Sequence, residues 1–199
     1  MKNILLVPRI INKYNENYLS VDKNWLIFLK KIYGKFDLQI APFINKKPNL
    51  IIILGGNDLI KKNSNKADLY RNNLNKKFLN YAIKNNIKTI GICLGAQFIA
   101  STYYSKLVKV RNHVGIHKIF FDKKLIKKRF PKFYSVNSFH NYGISRLGKN
   151  LIALAKASDK SIEFFIHKKR KIIGIMWHPE RFKKLKKLDK KIFKYNLWN

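Results

Sequence analysis

The chain has 199 residues, a length that suits one domain, and we expect a single domain over residues 1–199. It contains one cysteine, which excludes an intramolecular disulfide and a zinc site built from several cysteines. Its 43 Lys and Arg outnumber its 10 Asp and Glu, and the formal net charge of +33 attracts nucleic acid, anionic membranes and phosphorylated ligands alike.

The lysines are scattered through every segment beside many Asn and Ile, and no block combines Arg, Gly and aromatic residues as nucleic-acid-binding segments do. Codon bias explains this texture at least as well as a polyanionic partner, so we do not expect a nucleic-acid partner. No run approaches the ~18 apolar residues of a membrane helix. The amino terminus is typical of a first strand rather than a signal peptide, because Pro8 and Arg9 interrupt its apolar run. We therefore expect a cytoplasmic protein without a membrane partner.

In the first half of the chain, short apolar runs alternate with longer helical patterns. The order is NILLV, NWLIFLKKIY, LIIIL, DLYRNNLNKKFLNYAIKNN and KTIGI. Strands that are apolar on both faces and separated by helices predict a parallel sheet covered by helices on both sides.

The pattern of predicted elements changes in the second half of the chain. HKIFF, KFYSVN, LIALAKA, SIEFFIH and KIIGIMW are closely spaced strand candidates, so antiparallel hairpins are expected to extend the sheet. In the last stretch, apolar residues recur at intervals of three and four and predict an amphipathic surface helix. They are Phe182, Leu185, Leu188, Ile192 and Phe193.

The cysteine, Cys93, lies in GICLGAQ between a predicted strand and a predicted helix. A nucleophile on such a sharp turn favours glycine two positions before and after it, here Gly91 and Gly95. The unpaired N–H groups at the start of a helix favour the thiolate form. The alternative is a buried core cysteine with coincidental glycines.

A second stretch, GIMWHPE, brings His178 and Glu180 within two residues of each other. We expect Pro179 to keep this segment extended, so that both side chains point the same way. A carboxylate there can fix the histidine tautomer and stabilise the imidazolium. The alternatives are a solvated histidine at a strand end and a glutamate in the first turn of a helix.

A third stretch, IIILGGNDL, ends an apolar strand in Gly-Gly. Acyl transfer needs backbone N–H donors where charge develops on the carbonyl oxygen, and Gly-Gly permits a close approach. Gly56 and Leu94 are the predicted oxyanion donors. Taken alone, the Gly-Gly pair would favour an ordinary strand-to-loop turn.

Together, LGGND, GICLGAQ and GIMWHPE resemble the motifs of the class I glutamine amidotransferase superfamily, over residues 51 to 180. NHVGIHKIFF, VNSFHNYGI and ASDKSIEFF resemble stretches of its free-standing γ-glutamyl hydrolase branch, the γ-glutamyl-γ-aminobutyrate hydrolase type. The resemblance implies a flavodoxin-like three-layer α/β fold, with a mostly parallel sheet and an antiparallel extension. It also implies a Cys93, His178 and Glu180 triad that forms a γ-glutamyl thioester.

The resemblance further implies that Gln97 and the stretch Ser138, Phe139 and His140 hold the glutamyl head group of a small γ-glutamyl substrate. The alternative for Gln97 is a polar residue that faces solvent, and the alternative for His140 is a structural histidine in a loop. HNYGI stands where the branch usually has a His-Gln stretch. This difference affects the assignment of the substrate-pocket residues. Neither a metal nor another cofactor is expected.

The opening RIINKYNENYLSVDKNWLIFL and the compact GGNDL resemble enzymes that act on γ-glutamyl-CDP-amidate, which is our best substrate prediction. One alternative is a glutaminase subunit that passes ammonia to a separate synthase. Another is an inactive module that binds polyanions through its lysines, although an intact Cys, His and Glu set argues against it. The sequence does not disclose the oligomeric state.

Overall fold

The computed structural model describes residues 1–56, 64–111, 113–122 and 130–194. Within these ranges the strands are β1 (Lys2–Val7), β2 (Arg9–Lys13), β3 (Glu16–Ser20), β4 (Phe36–Ile40), β5 (Leu50–Ile53), β6 (Lys88–Ile92), β7 (Lys106–Lys109), β8 (Val114–Phe121), β9 (Phe133–Phe139), β10 (Tyr142–Arg146), β11 (Leu151–Ala157), β12 (Ile162–His167) and β13 (Ile172–Ile175). The helices are α1 (Lys23–Tyr33), α2 (Lys66–Lys84), α3 (Leu94–Thr102) and α4 (Lys187–Lys194).

The main sheet has a parallel half and an antiparallel half. Its strand order is β4-β1-β5-β6-β13-β12-β11-β8-β9, with β10 against β12 and β7. The strands from β4 to β13 in this order pair in parallel, and those from β13 onward pair antiparallel. β1, β5, β6 and β13 are almost wholly buried, as parallel strands covered on both faces must be.

Helices cover both faces of this sheet. On one face α1 and α4 pack Trp25, Phe28 and Phe193 into a buried cluster. On the other face α2 and α3 pack residues such as Phe78 and Ile99 into a second cluster. The predicted three-layer flavodoxin-like α/β fold, with parallel strands and an antiparallel extension, is confirmed, although antiparallel pairings outnumber parallel ones among the described strands of the main sheet.

Local side-chain contacts define the helix starts. The Asp22 carboxylate accepts from the Asn24 N–H before α1, and the Asn65 side chain accepts from the Asp68 N–H before α2. Such N-caps satisfy backbone donors that the first helical turn leaves unpaired. Among the described residues, no helix combines the length and the apolar character needed to cross a membrane.

The predicted carboxy-terminal helix begins later than expected. Within the described part of the stretch the α-helix is Lys187–Lys194, with Leu188, Ile192 and Phe193 buried. Phe182 and Leu185 precede it outside the helix, although both pack against the core. Residues 195–199, which end the predicted stretch, lie outside the described ranges, as do Asn57, Asp58 and Asn112 of the motifs.

Candidate active site

Cys93 occupies the sharp turn between β6 and α3. Its backbone has φ 49° and ψ −106°, a conformation that L residues rarely adopt and that often marks a functional site. A Cβ on Gly91 would lie 2.7 Å from the backbone of Gly95, and a Cβ on Gly95 would overlap the carbonyl oxygen of Ile53. The crowding expected around this turn is present, and the two glycines relieve it.

His178 follows β13, the strand paired in parallel with β6. The Cys93 N–H donates to the carbonyl of Ile175 at 2.8 Å, which locks the two strand ends together. Because the carboxyl ends of neighbouring parallel strands meet at one edge, Cys93 and His178 come to the same place. A Cβ on Gly55 would lie 3.3 Å from Cys93 Cβ and 3.4 Å from His178 Nε2, so both residues border Gly55.

Glu180 contacts His178 as expected, but not through an extended segment. The Nδ1 of His178 lies 2.7 Å from Oε1 of Glu180, and both residues are buried. The expectation that Pro179 keeps the segment extended is wrong, because Pro179–Arg181 forms a 3₁₀ turn. Proline at the first helical position is favourable, and the turn folds Glu180 back onto the imidazole.

The imidazole of His178 is held in its charged form. Burial disfavours the charge, but interaction with Cys93 and with Glu180 outweighs it and raises the pKa of His178 to about 9. With Nδ1 engaged by Glu180, Nε2 is the nitrogen that remains for the thiol and a substrate. At neutral pH this nitrogen therefore carries a proton that it can donate.

The Gly-Gly turn after β5 lies beside the cysteine turn. Gly56 has φ 89°, and a Cβ there would lie 3.0 Å from the Arg9 side chain, whereas Gly55 is the glycine next to Cys93 and His178. Buried Arg71 donates from Nη2 to the carbonyl of Leu54 at 2.6 Å and so fixes the strand end before the turn. Roles of Gly56 and Leu94 as oxyanion donors stay predictions.

The predicted head-group residues are only partly brought together. Phe139 packs its ring against His178, with centroids 5.8 Å apart. Gln97 is buried on α3, where its Nε2 donates to the carbonyl of Tyr142 at 2.8 Å. Ser138 donates to the carbonyl of His113, and His140 Nε2 lies 3.5 Å from Oε1 of Glu163. Their predicted substrate roles stay predictions.

Asn137 supports the site and was not singled out by the sequence analysis. Its Nδ2 donates to the carbonyl of His178, and its Oδ1 accepts from the His178 N–H, both at 2.8 Å. Asn137 lies on β9, far from His178 in sequence. Because a lone asparagine in a strand candidate gives no signal of this kind, only the fold could reveal it.

A small cleft of about 40 Å³ borders two residues of the predicted triad, His178 and Glu180. Gly55, Gly56, His178 and Glu180 are among its lining residues, and Arg9 and Arg181 line its rim. The Arg181 guanidinium lies 4.4 Å from the centre of the Phe139 ring, and its Nε lies 3.8 Å from Glu180 Oε1. The cleft therefore has two guanidinium groups, with the Asp22 carboxylate also in its lining.

Comparison with known proteins agrees with this geometry. The family described as glutamine amidotransferase class-I matches residues 28–199. The chain is 41% identical over 131 residues to a γ-glutamyl-CDP-amidate hydrolase of Campylobacter jejuni, covering 66% of this chain and 62% of that protein. It is 29% identical over 138 residues to a glutamine-hydrolyzing GMP synthase subunit from Methanococcus aeolicus, covering 68% and 66% of the two chains. The Campylobacter alignment thus spans slightly less than two thirds of that relative.

The solved structure of a glutamine amidotransferase from Thermotoga maritima has the same fold. Its TM-score is 0.66 at 18% identity, covering 90% of this chain and 76% of that one. The family match extends over most of the chain and includes the cysteine turn and the His-Pro-Glu turn. The protein belongs to the class I glutamine amidotransferase family.

Proposed function

We propose that the protein is a cysteine-dependent hydrolase that cleaves a γ-glutamyl amide through a γ-glutamyl thioester and releases glutamate. The observation that carries this proposal is the meeting of Cys93, in its rare backbone conformation, with a His178 paired to Glu180. A nucleophile, a base and a group that orients the base are the parts that acyl transfer requires. Family membership and the Campylobacter relative support the same chemistry.

In the first half-reaction, the Cys93 thiolate attacks the γ-carbonyl carbon. The negative charge that forms on the carbonyl oxygen is stabilised by the N–H groups of Gly56 and Leu94. His178 then donates its Nε2 proton to the amide nitrogen, the C–N bond breaks, and the amine leaves. The cysteine is left as a thioester of glutamate.

In the second half-reaction, neutral His178 takes a proton from a water molecule that attacks the thioester carbon. The carbon–sulfur bond breaks, glutamate leaves, and the thiolate and imidazolium are restored. Glu180 holds the imidazole in one orientation through both steps and stabilises its charge. The proposed steps use only these side chains, the two backbone donors and water.

The leaving amine that we propose is a cytidine diphosphoramidate, released from γ-glutamyl-CDP-amidate. A cleft of about 40 Å³ has room for the small reacting amide, so a larger leaving group would extend over the rim. Arg9 and Arg181 are placed there to attract a diphosphate, since guanidinium groups match phosphate oxygens. The name of the Campylobacter relative supports this substrate class.

The test is glutamate release by the purified protein, with glutamine compared against a panel of γ-glutamyl amides that includes γ-glutamyl-CDP-amidate. We expect turnover of the CDP-amidate to exceed that of glutamine, and Cys93→Ala and His178→Asn each to reduce it roughly 10⁴-fold or more. Circular dichroism and Tm of Cys93→Ala should match the wild type, because the substitution is small. Near-normal turnover in either variant would show that the triad assignment is wrong.

The second candidate is a glutaminase subunit that delivers ammonia to a synthase, as the similarity to the Methanococcus GMP synthase subunit suggests. The triad would be the same, but glutamine hydrolysis would stay low until the partner bound. This alternative would be favoured if the purified protein hydrolysed none of the amides and gained glutaminase activity when a co-purified synthase was added. Turnover of the CDP-amidate by the protein alone would exclude it.

A further inference from the structure

Four side chains outside the triad, three of them buried and His117 partly buried, converge at the antiparallel side of the sheet. His113 precedes β8, His117 lies on β8, His140 follows β9 and Glu163 lies on β12. His113 Nδ1 and His140 Nε2 lie 3.4 and 3.5 Å from Glu163 Oε1, and His117 Nε2 lies 3.6 Å from Glu163 Oε2. The Glu163 side chain is fully buried, and we call these four residues the histidine cluster.

The polar atoms of this cluster lack conventional partners. Within the described residues, His113 Nδ1, His117 Nε2, both ring nitrogens of His140 and both carboxylate oxygens of Glu163 are buried without a hydrogen bond. Buried polar atoms are usually satisfied, because each unpaired one costs about 1–3 kcal/mol. Six such atoms in one place point to a missing positively charged partner.

The hydrogen bonding of His113 indicates where a positively charged partner is required. Its Nε2 lies 2.9 Å from Oδ2 of Asp159, which places a proton on Nε2. In the neutral ring the lone pair of Nδ1 then faces an oxygen of Glu163 at 3.4 Å. Two acceptors in this position repel each other unless a proton or a metal ion lies between them.

The spacing suits a metal ion. Nitrogen and oxygen ligands lie about 2.0–2.2 Å from a tetrahedral Zn²⁺, so neighbouring ligand atoms are roughly 3.3–3.5 Å apart. His113 Nδ1 and His140 Nε2 lie 3.4 and 3.5 Å from Glu163 Oε1, which matches this edge length, and His117 Nε2 lies 3.6 Å from Oε2, slightly beyond it. Ligand atoms of His113, His117 and Glu163 all lie within 4.8 Å of one another.

We propose that His113, His117, His140 and Glu163 form a binding site for one divalent transition-metal ion of the Zn²⁺ type. Three imidazoles and one carboxylate favour Zn²⁺ over Mg²⁺ or Ca²⁺, which prefer oxygen ligands. Asp159 supplies the outer carboxylate that ligating histidines commonly engage through their second nitrogen. No metal was expected from the sequence, because the reaction implied by the resemblance requires none; the fold brings Glu163 to the three histidines.

The proposed ion would brace strands next to the catalytic histidine without taking part in the chemistry. Ser138 Oγ and the His140 N–H both donate to the carbonyl of His113, which ties β9 to the cluster. One residue before Ser138, Asn137 holds both backbone polar groups of His178. The metal site would therefore fix the position of β9. The proposal of this site does not depend on the proposed reaction.

The test measures binding of Zn²⁺ and Co²⁺ to chelator-treated protein by equilibrium dialysis with metal analysis and by absorption spectroscopy. We expect one equivalent of metal to bind both the wild type and Cys93→Ala. Glu163→Gln and His117→Gln should each weaken binding at least tenfold. Of these ligands, His117 is the more exposed, with 18% of its side chain accessible, so His117→Gln should fold even where Glu163→Gln does not.

Thermal unfolding gives a readout that does not require activity. Zn²⁺ at ~100 times its Kd should raise the Tm of the wild type and of Cys93→Ala by roughly 5–10 °C, and that of His117→Gln by much less. Cobalt in the cluster should show no sulfur-to-metal charge-transfer band, because the ligands are nitrogen and oxygen.

Three outcomes would overturn the proposal. The first is no stoichiometric metal and no change in Tm, which would mean that the histidines hold only protons against Glu163. The second is equal binding by the wild type and both ligand variants. The third is a sulfur-to-cobalt band that disappears together with the bound metal in Cys93→Ala, which would place the metal at the catalytic cysteine.

Discussion

In the proposed reaction, His178 serves as an acid first and as a base afterwards. Burial works against its charge, yet the contacts with Cys93 and Glu180 hold its pKa at about 9. The leaving amine takes its proton from the imidazolium, so the first half-reaction slows where that form is lost. Because the pKa is raised, the charged form persists through neutral pH and declines only as the pH rises through about 9.

Replacing Glu180 tests this account. Glu180→Gln removes the carboxylate 2.7 Å from Nδ1, so the alkaline limb of the kcat/KM profile should move to lower pH by roughly one unit or more. The loss of activity at pH 7 should be smaller than in His178→Asn, because Glu180 orients and stabilises rather than reacts. The matched control is Glu16→Gln on exposed β3, which should leave the profile unchanged. An unshifted limb in Glu180→Gln would contradict the assigned role.

At this scale the sequence was informative where the chemistry is local. The two glycines around Cys93 reflect crowding within one turn, and the His178 to Glu180 contact joins neighbours in sequence. Even so, the backbone of Pro179–Arg181 was predicted wrongly, because proline suits a helical first turn as well as an extended segment. The contact between His178 and Glu180 forms nevertheless, because an extended segment and a 3₁₀ turn both bring these two side chains within reach of each other.

Strand β9, at the end of the antiparallel half of the sheet, contacts His178 through Asn137. Asn137→Ala would leave the buried N–H of His178 without its partner and its carbonyl with the Arg181 N–H alone, which should cost about 1–3 kcal/mol of stability. It should also lower kcat roughly 10–100-fold, since a small displacement of a catalytic group is costly.

A matched substitution separates this effect from loss of an asparagine in general. Asn12→Ala, on exposed β2, removes a hydrogen bond to Asn17 and should change the free energy of unfolding by less than about 0.5 kcal/mol. Urea unfolding and steady-state kinetics of the two variants make the comparison. Equal effects of both substitutions would show that Asn137 does not position His178.

Helix α4 carries a buried acid whose ionisation opposes folding. Burial raises the pKa of Asp189 to about 7, although the Trp177 indole N–H donates to it at 2.9 Å. The folded chain therefore binds this proton more tightly than the unfolded chain. The contribution of Asp189 to stability is greatest at low pH, declines as the pH rises from about 4 to about 7, and then levels off.

Asp189→Asn removes this titration and keeps an oxygen acceptor for Trp177. Relative to the wild type, the variant should gain a few kcal/mol in free energy of unfolding between pH 4 and pH 8. Urea titrations at several pH values measure this difference. A constant difference between the two proteins across that range would show that Asp189 is already ionised in the folded state.

The elements differ in how well their sequence predicted them. β1, β5, β6 and β13 were recognisable because strands buried on both faces are continuous apolar runs. The hairpin of β2 and β3 was missed because most of its residues are exposed and carry no alternating pattern. The histidine cluster was also missed, since its ligands come from three strands that meet only through the long-range order of the sheet.

At the scale of the whole molecule, the net charge of +33 means that many lysines repel one another in the folded state. Screening reduces this repulsion, because the Debye length falls from ~30 Å at 0.01 M salt to ~10 Å at 0.1 M. The unfolded chain separates its charges further and gains less from salt. The folded protein should therefore become more stable as the salt concentration rises.

We expect the Tm to rise by several degrees between about 10 mM and 200 mM NaCl, and equally in KCl, which screens in the same way. An uncharged solute at the same osmolality should not reproduce this rise.

Phosphate at equal ionic strength should stabilise more than chloride only if it also occupies a specific site, such as the rim formed by Arg9 and Arg181. In that case Arg181→Gln would abolish the excess over chloride and leave the chloride effect intact. A Tm that stays constant or falls with NaCl would show that the lysines are already neutralised within the fold.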